Sequence, residues 1–276
     1  MEMRQIADLH GEKTMLRVYS GAQKGATAFF RNRMLLRTLI QILEMLPHYP
    51  PQTLRVLFHA GSIGAEVYSF AIWCQIHGLH RRFVLEIQTS DINCEFLDFA
   101  RNARYHANVL HTMLAEERAY FQHVSKNEVI PIDAIQRMVA FLPPMSFLEP
   151  MAATYDVVLV LNALTYVSET EQALAISRIA DYNSRYLVLT AFHPDTIEAD
   201  LRQNCYVPIT HNIEAIHNGW HERIRPDLGA KRGTAEHSWV LPRFTRVEGY
   251  EYKFCAIFEK KHHPGSGQVV LAVKDL

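Results

Sequence analysis

The chain has 276 residues, 49% of them hydrophobic and 21% charged, with a net charge of −1. A chain of this size buries a core large enough to fold without disulfide or metal staples, and its composition excludes a mostly disordered polymer. The charge balance excludes a sequence-blind nucleic-acid binder, and no apolar run reaches the ~18 residues of a membrane span, so neither nucleic acid nor membrane is expected as a partner.

Residues 1–50 read as an N-terminal helical segment, because 26–46 are rich in helix formers and carry a wide apolar stripe. Residues 51–276 read as one further domain. After Pro50-Pro51, the run Leu54-Arg-Val-Leu-Phe58 predicts a short buried strand. A glycine turn follows, His59 to Gly64, then a helix with Val67, Phe70, Ala71 and Cys74 on one face. A second strand over 83–89 ends at Ser90-Asp91, and the next helix places Phe96, Phe99, Ala100 and Ala103 together. Residues 156–161 are a continuous apolar strand. Ser168 and Glu171 then form a capping box that opens a helix to about residue 180. Residues 186–190 are another buried strand, and Asp195 can cap a helix after it.

Apolar strands alternating with amphipathic helices predict an α/β fold with a doubly wound, mostly parallel sheet of seven strands. Residues 251–258 and 268–273, joined by Pro264-Gly-Ser-Gly267, predict a C-terminal antiparallel hairpin at one edge. Two segments do not fit the alternation. Residues 106–145 are weakly patterned, and 192–249 are too long for an ordinary connection. Both read as insertions over the C-terminal edge of the sheet, the second as a substrate lid.

Three constellations carry chemistry. Gly61 and Gly64 lie between a strand and a helix, where backbone can approach a ligand and the helix N-terminus favours negative charge; an ordinary tight turn has the same residues. No Lys follows in Walker spacing, which excludes an NTPase phosphate loop. Asp91 ends the second strand, where a carboxylate can accept both hydroxyls of a ribose; it could equally cap the next helix. Asn162 ends the strand over 156–161, where an amide can both donate and accept, or simply make a turn. His217 and His221 are spaced i, i+4, but no further ligand completes a metal site, and none is expected.

Thr27-Ala-Phe-Phe-Arg31 resembles the TxFFR signature of the CheR-type chemotaxis-receptor glutamate methyltransferases. The stretch from Phe58 to Ser69 is similar to that family's A-x-S-x-G-E-E-P-Y-S, and 89–105 to its A-S-D-I-D…L-x-x-A-R-x-G-x-Y. Residues 155–166 resemble F-D-x-I-x-C-R-N-x-x-x-Y. Four motifs in order, over roughly 26–190, imply a Rossmann-like class I methyltransferase that uses S-adenosyl-L-methionine. The resemblance implies roles residue by residue. Thr27 and Arg31 face the methionine end and the transfer point. Gly64 and Glu66 hold the amino-acid part, with Glu66 on its ammonium. Asp91 takes the ribose, Asn162 the methionyl part, and Tyr166 lines the acceptor pocket. Phe147 stands in Ser146-Phe-Leu148, where the family has N-L-L near the adenine.

There are departures. Ala65 replaces the first Glu of G-E-E-P-Y, Val67 its Pro, Leu161 the Arg before the strand-end Asn, and Gly25 the Asn before TxFFR. About 26 residues precede the signature, which implies that the family's N-terminal helical domain is absent. Cofactor motifs survive better than those that choose substrate. The expectation is therefore a methyltransferase for a carboxylate-bearing small molecule, with a protein carboxylate as a possible acceptor. A hydroxyl or amine acceptor, with Tyr166 or His193 taking its proton, is the alternative. A non-catalytic cofactor binder and a dinucleotide enzyme on the same fold are the rivals. Four cysteines without a CxxC pair, and an N-terminus without an apolar core, fit a reducing, cytoplasmic setting.

Overall fold

The computed structural model describes residues 4–10, 13–20, 23–47, 52–190, 197–221 and 244–261. The chain opens on β1 (Arg4–His10), β2 (Lys13–Ser20) and β3 (Gln23–Thr27), which pair in that order as an antiparallel sheet. The expected helical segment over 1–50 is thereby corrected: helix begins only at α1 (Arg33–Glu44), capped by Asn32, whose Oδ1 accepts the Leu35 N–H at 3.0 Å. The physical reason lies in the turns. His10 pairs with Lys13 and Ser20 with Gln23 in antiparallel register, and the sequence carries Gly11-Glu12 and Gly21-Ala22 between them, a Gly-X composition that favours strand pairing over a continuous helix.

The central layer follows the expected alternation. β4 (Gln52–His59) leads to α2 (Ala65–Ile76), β5 (Phe83–Thr89) and α3 (Cys94–Asn102). Then come β6 (Tyr105–His106), α4 (Ala115–Arg118), β7 (Phe121–His123), β8 (Glu128–Pro131), α5 (Asp133–Gln136) and β9 (Val139–Phe141). The chain continues through β10 (Val157–Leu161), α6 (Glu169–Asp181), β11 (Tyr186–Thr190), α7 (Glu198–Gln203), β12 (Tyr206–Pro208), α8 (Ile213–His221), α9 (Glu251–Phe254) and β13 (Ile257–Lys260). The seven-stranded sheet has the order β12-β13-β11-β10-β4-β5-β9. β9, β5, β4, β10 and β11 run parallel, and β13 runs antiparallel between β11 and β12. β11 is buried along its whole length and β10 up to Leu161, as strands covered on both faces must be.

The expected antiparallel edge is present, with different residues. Residues 251–254 are the short helix α9, and β13 pairs with β12 on its outer side. Residues 264–273 and Asp195 lie outside the described residues. The two expected insertions are also redrawn. In 106–145, β6, β8 and β7 form a small antiparallel sheet, but β9 is an edge strand of the main sheet. In 192–249, β12 is a sheet strand of three residues, too short to show as an apolar run. Pro208 is tolerated there because β12 is an edge. His193 and residues 222–243 of that segment lie outside the described residues.

α8 rests on α1. Asn32 Nδ2 donates to the Ile216 carbonyl at 2.8 Å, and Asn212 Nδ2 to Thr38 Oγ1 at 3.1 Å. Gly219 lets α8 lie close against the start of α1: a Cβ there would meet Asn32 Oδ1 at 2.9 Å. The 105–141 segment is anchored by Glu117, fully buried, which accepts from Arg33 Nη2 at 2.6 Å and Nε at 2.8 Å, and from Trp73 Nε1 at 3.1 Å. A buried carboxylate is tolerated only with such partners.

Candidate functional site

The C-terminal ends of β4, β5 and β10 meet at one edge of the sheet, the edge where doubly wound folds bind ligands. From β4 the chain enters a tight turn. Ala60 (φ 55°), Ser62 (φ 50°) and Gly64 (φ 85°) all adopt the left-handed region. Left-handed backbone costs non-glycine residues roughly 1–2 kcal/mol each and clusters at functional sites. Of the eight such non-glycine residues described, four surround this edge: Phe30, Ala60, Ser62 and Asn162.

Both glycines have a close neighbour. A Cβ on Gly61 would meet Thr89 Oγ1 at 2.0 Å, so this glycine lets the tips of β4 and β5 close together. Gly64 is the N-cap of α2 and supplies no capping side chain, which leaves donors of the first helical turn open to a ligand.

Asp91 is only 7% exposed. Its Oδ2 accepts the Ser62 N–H at 2.8 Å and its Oδ1 the Asn93 N–H at 2.9 Å. Burial raises its pKa, and these backbone donors offset part of the rise. It does not cap α3; Asn93 does, through the N–H groups of Glu95 (2.9 Å) and Phe96 (3.2 Å). A carboxylate offers about four lone-pair sites, so capacity remains on Asp91 for a ligand donor. Beside it, Ser62 Oγ is buried with no hydrogen-bond partner among the described residues, an orphan that a ligand oxygen or nitrogen could satisfy. Phe147 lies half-buried in the loop over 142–149, which is tied to Asp91 by the Met145 N–H at 3.0 Å. Ile92, 62% exposed directly after Asp91, is an apolar surface that the sequence reading missed.

The second half of the site is a charged network. Arg31, its side chain 13% exposed, is no surface cation. Its Nη1 lies 3.3 Å from Glu66 Oε1, and Thr27 Oγ1 donates to Glu66 Oε2. With its amide oxygen toward Arg31, Asn162 accepts from Nη1 at 2.8 Å and Nη2 at 3.3 Å, while its Nδ2 donates to Thr190 Oγ1 at 3.2 Å. The Asn162 N–H also reaches Thr190 Oγ1, at 2.9 Å. Thr190 has one visible sequence signal, its place at the end of a buried strand in register with Leu161. The Arg31 loop is pinned by its aromatic neighbours. Phe29 meets Tyr105 and Phe121 edge-on at 4.8 and 5.1 Å, and the Phe30 N–H donates to Ser69 Oγ at 2.8 Å.

The structure thus brings Thr27, Arg31, Glu66 and Asn162 into one network, and Gly61 and Asp91 into another at the glycine turn, with Phe147 in the loop tied to Asp91. Tyr166 stands apart in a short 3-10 turn (Leu164–Tyr166), 61% exposed. Among the described residues no group of three or more His, Cys, Asp or Glu could hold a metal ion. An uncapped helix start, an orphan hydroxyl, a buried carboxylate and a carboxylate–guanidinium–amide cluster fit the donor and acceptor pattern of S-adenosyl-L-methionine.

No curated protein matches the chain by sequence. Solved structures similar in part include magnesium protoporphyrin IX methyltransferase from Synechocystis PCC 6803 with bound SAM, at 15% identity over 64% of this chain and 71% of that one, TM-score 0.37. Others are the methyltransferase domain of bacterial CtHen1, at 10% over 65% and 88%, TM-score 0.40, and the plantazolicin methyltransferase BpumL, at 12% over 73% and 61%, TM-score 0.36. The family model of the CheR methyltransferase, SAM binding domain, matches residues 25–209, most of the chain. That span holds every element of both networks, and the chain belongs to the CheR methyltransferase family: it is a SAM-dependent methyltransferase.

Proposed function

We propose that this methyltransferase acts on a carboxylate-bearing small molecule. The observation that carries the reading is the Arg31–Glu66–Asn162 network. Its groups bind and orient; none is a free base. The Arg31 guanidinium offers donors and no lone pair to accept a proton, and Glu66 is engaged by Arg31 and Thr27. A carboxylate acceptor is already ionised and needs no proton removed, which suits such a site.

When bound, SAM supplies an electrophilic methyl group on a sulfonium centre. The residues of the chain do the positioning. Asp91 accepts the ribose hydroxyls, and Ile92 and Phe147 form the apolar walls for the adenine. Glu66 receives the ammonium, and the open start of α2 receives the carboxylate. Arg31 holds Glu66 and Asn162 in place, so its fork serves the methionyl side first and an anionic acceptor through its field. α8, seated on Asn32 beside Arg31, walls the acceptor side, and exposed Tyr166 lines the acceptor entrance. With the cofactor held this way, the sulfonium methyl would lie in line with the acceptor oxygen; the O–CH3 bond would form as the S–CH3 bond breaks, the thioether S-adenosylhomocysteine would leave, and no proton would be transferred. All four cysteines are free, and no described helix is long and apolar enough to cross a membrane; a reducing cytoplasm suits both.

The test uses SAM labelled in the methyl group, with the purified protein and a small-molecule extract. Carboxyl methyl esters release volatile methanol in alkali, whereas methyl ethers and N-methyl groups do not. Base-labile label in a small molecule supports the reading. Base-stable label overturns it in favour of a hydroxyl or amine acceptor, and label in protein assigns the acceptor to a polypeptide.

A further inference from the structure

Behind the glycine turn runs a chain of polar groups that the cofactor reading does not use. His59, at the tip of β4, is 1% exposed. Its Nδ1 lies 2.8 Å from Ser90 Oγ, and its Nε2 3.2 Å from the Tyr182 hydroxyl. Tyr182 also donates to the Glu149 carbonyl at 3.3 Å. A carbonyl only accepts, so the Tyr182 proton points at Glu149 and the Tyr182 oxygen accepts from His59 Nε2–H. His59 Nδ1 is then the acceptor, and Ser90 O–H the donor. One neutral tautomer satisfies every member. Burial pushes the His59 pKa down to about 4, which keeps the ring neutral near pH 7.

Both ends of this chain reach the candidate cofactor site through backbone. Ser90 precedes Asp91. Its N–H donates to the Phe58 carbonyl at 2.9 Å, and its own carbonyl accepts the Gly61 N–H at 2.8 Å. Glu149 closes the turn that carries Phe147: its N–H donates to the Ser146 carbonyl at 3.1 Å, and its Oε1 accepts the Ser146 N–H at 3.2 Å. The polar chain therefore links the strand end that presents Asp91 to the loop that presents Phe147.

We propose that His59 is a positioning residue for the adenosine half of the cofactor, its neutral imidazole fixing the Asp91 strand end against the Phe147 loop through Ser90 and Tyr182. This rests on the reading that Asp91 and Phe147 hold ribose and adenine.

Calorimetric titration with S-adenosylhomocysteine tests it on the wild type, Ser90→Ala, Tyr182→Phe and the double variant. Each single change removes one oxygen and leaves the packing in place. Losing one neutral hydrogen bond predicts about three- to tenfold weaker binding in each single variant. The double variant should lose less than the product of the two, because both break the same chain. Nitrogen-15 shifts of His59 should report one tautomer in the wild type and a mixture in Tyr182→Phe. Unchanged affinity in variants that melt earlier would overturn the proposal and leave a structural histidine. Strictly additive losses would overturn it too, because the links would then be independent. If the wild type failed to bind S-adenosylhomocysteine at all, the cofactor-site reading itself would fall, and this inference with it.

Discussion

Replacing Asp91 by Asn separates its two jobs. In the folded chain the carboxylate accepts the Ser62 N–H at 2.8 Å through one oxygen and the Asn93 N–H at 2.9 Å through the other. An amide has one oxygen, so its NH₂ must face one of these donors. Leaving one buried donor without an acceptor costs about 1–3 kcal/mol of stability. For a protein of this size that lowers Tm by roughly 3–10 °C. The ribose adds a second effect. Hydrogen bonds to a charged acceptor are worth about 1.5–3 kcal/mol, so S-adenosylhomocysteine should bind about tenfold to a hundredfold more weakly to Asp91→Asn. The assay is calorimetric titration on protein shown to be folded, with the ligand-induced rise in Tm as a cross-check. The pH dependence carries its own sign. Ribose hydroxyls donate to the ionised form, and burial raises the Asp91 pKa above the ordinary aspartate value. Wild-type affinity should therefore fall as pH drops through that raised range, and Asp91→Asn should not show the fall. A folded variant with wild-type affinity and the same pH profile would refute the reasoning and leave Asp91 as a turn residue.

Three further outcomes are expected. Arg31→Ala removes the counter-charge of Glu66, at 12% side-chain exposure, and leaves it the Thr27 hydroxyl, so it should cost about 2–3 kcal/mol of stability in urea unfolding and weaken S-adenosylhomocysteine at least about tenfold, with Arg31→Lys in between. His59 has a folded pKa of about 4 against an ordinary 6.5, so its contribution is fully present above pH 6.5 and is lost as pH falls toward 4; His59→Phe should flatten the pH dependence of unfolding free energy there by up to about 3 kcal/mol. Gly61→Ala should lower Tm, because its Cβ would lie 2.0 Å from Thr89 Oγ1 in a buried, β-branched side chain, at a cost of about 1–3 kcal/mol; Thr89→Ala in the same chain should recover most of the loss.

The parts of this molecule legible in the sequence are those that depend on neighbours along the chain. Strand ends showed because apolar runs stop there, and so Asp91 and Asn162 stood out at the tips of their strands. The Ser168–Glu171 capping box marked the start of α6 because capping is a three-residue pattern. Three-residue β12 carries too little pattern to register, and a proline fits a strand only at an edge, which the sheet order alone reveals. The choice between Asp91 and Asn93 as cap of α3 was not legible either. Both residue types cap helices, and only the position of Ser62 decides which one is left for a ligand. Glu117 is the extreme case: it lies 84 residues from Arg33, and no local pattern announces a buried ion pair between them.

The departures from the family motif take on a different meaning once the pairings are known. The missing glutamate at Ala65 and arginine at Leu161 are what motivates the rival reading of a non-catalytic cofactor binder. Ala65 is fully buried, and its carbonyl accepts from Ser69 Oγ at 2.6 Å, the same hydroxyl that accepts the Phe30 N–H. Position 65 thus serves the loop that carries Arg31 through its backbone, and a buried second carboxylate beside Glu66 would need a partner of its own. Leu161 packs half-buried against the core, one residue before Asn162. Removing one acid and one base leaves Arg31 facing one carboxylate, Glu66, with the Asn162 amide as its second acceptor. Arg31 and Glu66 balance without the missing pair, and Asp91 remains as a buried negative charge at the glycine turn. SAM, with a sulfonium, an ammonium and a carboxylate, carries one net positive charge, which offsets that of Asp91. Arg31 and Glu66 are already paired, and Asp91 is the buried charge that such a ligand would meet, which is why the lost motif residues do not argue against a working methyltransferase.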